Sequence, residues 1–208
     1  MNGTGTQITV ARKSGAAAAL KRIIGLSKLA AYVGIPSATS QARSAQLLGM
    51  ADNVKSKRKK ARLQKAADAD VTNAELLFIF SKGSPLREQP ARPVLEPAVE
   101  ADGNRQAIAR ELAGACKASI EGDHAKALKQ TKRAALSAQN AARKWFTDPR
   151  NNWASLADST KRGRVRRMSK AQLAAATDDE GGLKNSAFTP GVDTGAMRAA
   201  IVGIVSEE

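Results

Sequence analysis

The chain has 208 residues and a formal net charge of +15, because 34 Lys and Arg outnumber 19 Asp and Glu. Nearly half of its apolar residues are Ala, 41 in number, so the core can bury less apolar area than the 42% hydrophobic fraction suggests. The single Cys116 and single His124 exclude a disulfide framework and a Cys/His zinc site. No apolar run reaches the roughly 18–20 residues that span a bilayer, and no signal-peptide pattern is present. We expect a soluble protein made in a cytoplasm.

The N-terminal third is predicted to contain two short strands and a helix. Alternating apolar residues predict a strand at Gln7–Val10, and apolar residues at helical spacing predict a helix at Ala16–Ala31. Tyr32–Pro36 is typical of a second strand, which the proline ends. Residues 37–71 are polar, Ala-rich and basic, so we expect an insertion that is partly helical or mobile.

The centre of the chain contains its most apolar stretch. Glu75–Phe80 is rich in large apolar residues between turn formers, and it is predicted as the best core strand. A loop then leads to Pro90–Pro97, which its prolines hold extended, and a helix is predicted to begin near Pro97.

Two long helices are predicted next. In the first, apolar residues recur every four positions, which predicts a buried face and favours Cys116 as a small core residue over a nucleophile. This face consists of Ile108, Leu112, Cys116 and Ile120. The second helix is predicted to run from the N-cap Asp123 to about Phe146, before Asp148-Pro149, with its buried side formed by Leu128, Ala135, Ala138, Ala142 and Trp145.

The C-terminal part is predicted as a weaker helix, a turn and a last strand. The helix covers Trp153–Lys161, and the strand covers Ala200–Val205. Between them, Asp193 or Thr194 is predicted to cap one helical turn. The sum is a single α+β domain over residues 1–208, with a small mixed or antiparallel sheet of about four strands packed against two long α-helices and with the 37–71 segment as a basic insertion.

Two basic clusters are the candidate binding residues. One lies between Lys55 and Lys65 with no acidic residue inside it, and the other lies between Lys161 and Lys170. Each is either a solvated helix face or a contact with DNA or an acidic protein surface. For that contact we select Lys57, Arg58, Lys59, Lys60, Arg164, Arg166 and Arg167.

No catalytic, cofactor or metal site is predicted. Asp193-Thr-Gly has the signature of aspartic proteases, which need two carboxylates and therefore a dimer of this chain, whereas a helix cap explains the motif without chemistry. His124 has no Ser or Cys at a recognisable triad spacing. The remaining carboxylates are scattered, so the chain is not expected to be an enzyme.

The order of three motifs resembles the tail-completion or neck proteins of long-tailed bacteriophages, a family of tail components that join head to tail. The early motif is Val33-Gly-Ile-Pro36. The central block runs from Asn73 through Phe80 to Pro85 and continues as Pro90-Ala-Arg-Pro-Val-Leu-Glu-Pro97. The closing motif is Val192-Asp-Thr-Gly-Ala-Met-Arg198, followed by the apolar residues 201–205.

The resemblance implies a non-catalytic virion protein that forms a ring, usually of six copies, between a head-side connector and a tail terminator or tail-tube protein. The resemblance also implies that the protein is made in the host cytoplasm and becomes part of the virion neck. Genomic DNA is a further expected partner there, and a membrane is not expected to be one. The expected subunit contacts are the 37–71 segment and the set Pro90, Arg92, Pro93, Leu95, Ile201 and Ile204. Arg92 and Arg198 are also assigned to structural salt bridges or caps.

Two other functions remain open at this stage. The +15 charge is also typical of a stand-alone basic protein that binds nucleic acid of any sequence. The aspartic protease reading of Asp193 is the third.

Overall fold

The computed structural model describes residues 15–36, 42–69, 71–177, 188–192 and 195–207, and most of these residues are helical. The helices are α1 (Gly15–Ser27), α2 (Ala42–Asp52), α3 (Lys57–Asp68), α4 (Asn73–Lys82), α5 (Leu95–Glu100), α6 (Asn104–Glu121), α7 (His124–Trp145), α8 (Asp158–Val165), α9 (Lys170–Ala176) and α10 (Ala196–Ala200). Short 3₁₀ turns cover Pro85–Arg87 and Pro149–Asn151. The strands are β1 (Leu29–Gly34) and β2 (Val202–Glu207).

The α6–α7 hairpin is the longest packed unit. Gly122, at φ 90°, ends α6 in the left-handed conformation, and the Asp123 side chain accepts a hydrogen bond from the Lys126 N–H at 2.9 Å. This confirms the predicted N-cap of α7. The face that α7 buries consists almost entirely of small residues, namely Ala127, Thr131, Ala134, Ala135, Ala138, Ala141, Ala142 and Trp145. Small side chains allow other elements to approach the axis of α7 closely.

β1 and β2 form an antiparallel two-stranded β ribbon that packs on α7. The register pairs Leu29 with Glu207 and Gly34 with Val202. The Gly203 N–H donates to Gln139 Oε1 of α7 at 2.9 Å. Arg143, one turn further along α7, donates to the carbonyl oxygens of Ala199 and Ile201 at 2.8 and 2.9 Å. The C-terminal segment is therefore fastened along its length to α7.

An aromatic cluster lies where α4 meets the end of α7. The Phe80 ring stacks on Phe146 with centroids 6.0 Å apart, and the Trp153 ring meets both edge-on at 5.3 and 5.7 Å. Val94 and Ile201, each almost completely buried, complete the core around these rings.

Arg92 is a buried cation inside this core, with 4% of its surface exposed. Its guanidinium lies 5.8 Å from the Phe80 ring centroid and donates to the Ala154 carbonyl at 3.0 Å and the Ser155 carbonyl at 3.5 Å. Burial lowers the pKa of this guanidinium. Within the described residues its partners are main-chain carbonyls and a ring, so hydrogen bonds to Ala154 and Ser155 replace the salt bridge expected for Arg92.

An ion pair stabilises the end of α7. Arg150 Nη2 lies 2.7 Å from Asp148 Oδ2, and the Arg150 guanidinium lies 5.7 Å from the Trp145 ring centroid. The same arginine donates to the Asp102 carbonyl at 3.2 Å. The hydrogen bond from the Arg150 side chain lowers the pKa of Asp148 to about 2.

The predicted fold class is wrong. The described residues contain one two-stranded antiparallel sheet and are otherwise helical, instead of a four-stranded sheet on two helices. The main cause is Glu75–Phe80, which lies in α4. The Thr72 side chain accepts from the Glu75 N–H at 3.1 Å, while the Glu75 carboxylate accepts from the Thr72 N–H at 2.8 Å, and this capping box starts a helix. The hydrogen bond from the Thr72 N–H also lowers the pKa of Glu75.

The predicted buried face of α6 is also wrong. Cys116 is exposed, and Leu112 and Ile120 are 40% and 52% exposed. The buried residues are Ala115 and Ala118, because the close approach to α7 favours the small side chains of α6 over its large ones.

Other boundaries move by a few residues. The predicted helix Ala16–Ala31 ends at Ser27, and β1 begins at Leu29 rather than Tyr32. Of the helix predicted at Trp153–Lys161, residues 153–157 are not helical, and only residues 158–161 belong to α8. The strand predicted at Ala200–Val205 is β2, which begins at Val202. The predicted strand Gln7–Val10 and the predicted caps Asp193 and Thr194 lie outside the described residues.

Gly203 tests the packing of the β ribbon on α7. A Cβ at this position would overlap the carbonyl group of Ala135, whereas a Cβ at Gly163 in α8 has no neighbour within 4 Å. Gly203→Ala is expected to lower the free energy of unfolding by about 1–3 kcal/mol, and the matched Gly163→Ala to raise it by about 0.5–1 kcal/mol. Urea denaturation followed by circular dichroism measures both. A Gly203→Ala variant with the same free energy of unfolding as the unaltered protein would contradict the close contact between Gly203 and Ala135.

Asp148 tests the ion pair at the end of α7. A carboxyl whose pKa folding has lowered stabilises the fold above its ordinary value near 3.8, and this stabilisation is lost as the pH falls to about 2. Asp148→Asn keeps an oxygen acceptor for the Arg150 N–H and is expected to cost about 1 kcal/mol at pH 7. The difference from the unaltered protein should disappear near pH 2 in pH-dependent thermal melts. The exposed Asp68, changed to Asn, is the control, with an expected effect below about 0.5 kcal/mol.

Candidate functional site, a cationic groove

The 37–71 segment contains a helical hairpin, α2 and α3. Arg43 near the start of α2 donates to the Ala66 carbonyl at 3.4 Å and to the Val71 carbonyl at 2.6 Å, and Ser44 Oγ donates to the Ala67 carbonyl at 3.1 Å. At the other end of the hairpin, Lys60 Nζ lies 3.4 Å from Asp52 Oδ1. Leu47 and Ala51 are buried along the seam between the helices. The hairpin is therefore held at both ends by side chains of α2.

A groove of about 1680 Å³ lies beside this hairpin, and we call it the cationic groove. Its walls are α2 and α3, the chain from α4 to Gln89, the chain from α8 to α9, and residues around Gly191 and Ala196. Its cationic lining residues are Arg43, Lys59, Arg62, Arg164 and Arg167. None of the described residues that line it is Asp or Glu.

The groove brings part of each basic cluster to one place. From the first cluster, Lys59 and Arg62 line it together with Leu63 and Ala66, four residues at helical spacing on one face of α3. From the second cluster, Arg164 and Arg167 line it, and Arg164 donates to the Thr189 carbonyl at 2.8 Å. The two clusters lie about a hundred residues apart in sequence, so the fold decides their proximity.

The other selected cations lie elsewhere on the surface. Lys57 and Arg58 are exposed at the start of α3, and Lys60 pairs with Asp52. Arg166 is exposed just after α8. None of these four lines the groove in the part of the chain that the structure describes.

The residues selected as subunit contacts divide into two groups. Arg92 and Ile201 are buried within the chain, Ile201 completely. Pro90, Pro93 and Ile204 are exposed and Leu95 is half-buried, so these four are the residues that a neighbouring copy could touch. Arg198 is half-buried in α10, and its assignment to a salt bridge or cap stays a prediction.

Sequence reasoning missed several residues of the groove. Arg43 and Arg62 are cations of the lining, and Leu86 lies at its edge with 99% of its surface exposed. Asn73 is buried in the wall, and its Oδ1 has no hydrogen-bond partner among the described residues. The 3.6-residue period of the first basic cluster is the signal that could have singled out Arg62, because it shares a face with Lys59.

The described residues offer neither a metal site nor a membrane-spanning helix. They contain no group of three or more His, Cys, Asp and Glu side chains that could hold a metal ion. None of their helices combines the length and hydropathy required to cross a bilayer.

Comparisons with known proteins find no match: no family, no curated protein and no solved structure matches the chain.

A substitution of Arg43 tests whether its hydrogen bonds hold the α2–α3 hairpin together. Arg43→Gln loses the hydrogen bonds to the carbonyls of Ala66 and Val71, and it is expected to lower the free energy of unfolding by about 1–2 kcal/mol. Amides of α2 and α3 should exchange hydrogen faster, while those of α6 and α7 should not. Arg58→Gln, at an exposed site on α3, is the matched control. Unchanged hydrogen exchange of the α2 and α3 amides in Arg43→Gln would contradict a stabilising role of these hydrogen bonds.

Proposed function

We propose that this chain is a non-catalytic structural protein of the phage neck, which joins the DNA-filled head to the tail as a homo-oligomeric ring, with six copies as is usual in the family it resembles. Its partners in this role are a head-side connector and a tail terminator or tail-tube protein. The proposal starts from the three motifs that resemble the tail-completion family.

The observation that carries the proposal is that these three motifs meet in one core. Val33 of the early motif pairs with Gly203 in the strand that follows the closing motif. Phe80 and Val94 of the central block lie in one apolar cluster with Ile201, and Val33 and Ile35 pack against it. Separate stretches of the chain that carry one resemblance therefore build one structural unit, which supports reading them together.

The β ribbon supports self-association. Tyr32 and Ile204 are a cross-strand pair, and they are 50% and 47% exposed. Neither strand has a second strand partner within the described residues, and two-stranded sheets are marginally stable alone. An exposed apolar pair on an unextended sheet is a surface that a neighbouring copy would cover.

The convergence of two basic clusters on one groove favours a second candidate function, a stand-alone protein that binds nucleic acid without sequence preference. Such binding would weaken steeply with salt, because each phosphate contact releases counterions. Light scattering and gel shifts separate the candidates. A lasting monomer that shifts any DNA supports the second, and a chain that forms rings on connectors or tails supports the first.

Ile204→Asp tests the proposed ring. The variant is expected to fold, since the side chain is half exposed, but a buried carboxylate in a subunit contact is costly, so rings should not form. Leu112→Asp, at a similarly exposed position on α6, is the matched control. Phage lacking the gene are complemented with each variant, and particles are examined by electron microscopy.

The outcomes of this complementation are distinct. Ile204→Asp should leave filled heads separate from complete tails, whereas Leu112→Asp should give joined particles. Joined particles without any copy of the chain would overturn the proposed function. Joined particles with Ile204→Asp would show that the β ribbon does not form the contact between subunits of the ring.

A further inference from the structure

The outer side of α3 carries cations that have no partner in the described part of the chain. The residues on the side of α3 away from the buried Ala67 recur at helical spacing, and all of them are exposed. Within the described residues, their three cationic side chains take part in no hydrogen bond or ion pair, and the one acidic residue lies at the end of the helix. We call this set the outer α3 face: Lys57, Arg58, Ala61, Gln64, Lys65 and Asp68.

The cations of the groove differ, because most of them are already engaged inside the chain. Arg43 and Arg164 donate to main-chain carbonyl oxygens at 2.6 and 2.8 Å. Arg62 and Arg167 also have interaction partners within the chain. Among the described residues, Lys59 is the one groove cation without such a partner. The cations available to an external anion therefore lie mainly on the outer α3 face.

The first turn of α3 is electrostatically unfavourable for the helix itself. Four consecutive cations, from Lys57 to Lys60, form this turn, and it contains no acidic residue. Cations destabilise a helix N-terminus, which carries a partial positive charge, and α4 and α8 have Glu75 and Asp158 in their first turns instead. Asp52 compensates only Lys60, at 3.4 Å. A local sequence that opposes stability is expected where residues serve a contact outside the chain.

The uncharged residues of the outer α3 face indicate the kind of anion. Ala61 and Gln64 offer no large apolar anchor, whereas protein partners derive most of their affinity from such anchors. A nucleic acid needs none, because its phosphate contacts gain free energy from the release of counterions. Since α3 contains no aromatic residue on which bases could stack, the backbone of a duplex is favoured over a single strand.

The length of the outer α3 face suits several phosphates. Lys57 and Lys65 lie eight residues apart, so the cations extend over about 12 Å of helix. A duplex carries one charge per about 1.7 Å of its axis, so this length faces about seven phosphate charges. Asp68 lies beyond Lys65 and limits the favourable surface at its C-terminal end.

We propose that the outer α3 face is a sequence-independent docking surface for the phosphate backbone of a duplex nucleic acid. Lys57, Arg58 and Lys65 contact phosphates, and Lys59 extends the contact at the edge of the groove. The proposal deepens the second candidate function and rests on it, since it assigns the nucleic acid to one surface. It does not require the ring.

A salt titration of DNA binding tests the proposal on the full chain. Fluorescence anisotropy measures binding to two duplexes of about 20 base pairs and unrelated sequence, which should bind equally. K57Q/R58Q/K65Q is expected to weaken binding at least about tenfold in about 50 mM salt. The slope of log K against log salt should become shallower by about 2–3, because three phosphate contacts are lost. The variant should melt no lower than the unaltered chain, since it relieves the first turn of α3.

A matched variant and a footprint connect the loss to the outer α3 face. K117Q/K129Q/K132Q removes the same charge from exposed sites on α6 and α7 and should weaken binding less than about threefold. In the unaltered chain, an acetylating ester modifies exposed lysines, and mass spectrometry compares each site with and without duplex. Acetylation of Lys57 and Lys65 is expected to slow at least about threefold with duplex, while Lys129 and Lys132 stay unprotected.

Each adverse result has a distinct meaning. If the unaltered chain binds neither duplex, both this contact and the second candidate function are wrong. Equal weakening by the two triple variants would mean attraction to net charge alone, which overturns the outer α3 face and leaves the second candidate function standing. Tighter binding of single-stranded DNA than of duplex would contradict the proposed ligand. A polyglutamate that protects Lys57 and Lys65 when duplex does not would assign the face to an acidic protein surface.

Discussion

Arg92 lies almost fully buried against the Phe80 ring and donates hydrogen bonds to the carbonyls of Ala154 and Ser155. A buried cation is tolerated only while its donors stay paired, since an unpaired charge in a protein interior is costly. The partners of the Arg92 guanidinium belong to α4 and to the segment after α7. Arg92 itself lies on the extended segment before α5. These parts of the chain must therefore be in place together, and the aromatic cluster of Phe80, Phe146 and Trp153 forms around them.

The high alanine content of α7 allows neighbouring elements to pack close to its axis. Because α7 buries mostly Ala, α6 and the β ribbon lie close to it, and Gly203 meets the carbonyl of Ala135 without room for a side chain. The large residues of α6 are left on the outside, where Leu112 and Ile120 remain half exposed. The small core and the exposed apolar side chains of α6 therefore have one cause, the close approach of α6 to α7.

The β ribbon and the cationic groove are separate surfaces of the chain. The β ribbon exposes an apolar pair, Tyr32 and Ile204, whereas the groove combines cations with methionine. The proposed ring needs a contact that repeats identically between copies, and a sheet with a defined register can provide one.

The sequence by itself determined the elements whose signals are local. The Asp123 cap, the end of α7 at Trp145 shortly before Asp148-Pro149, and the buried Ala face of α7 follow from side chains within a few residues. The positive charge of the 55–65 and 161–170 regions is likewise local. One local signal also decided the element at 75–80: an apolar run of this length suits a strand or a buried helix equally, and the capping box of Thr72 and Glu75, which the strand prediction overlooked, starts the helix. Tertiary structure decided the groove. Which cations share it depends on how α3, α8 and α9 pack, and no local pattern encodes a distance between residues a hundred positions apart.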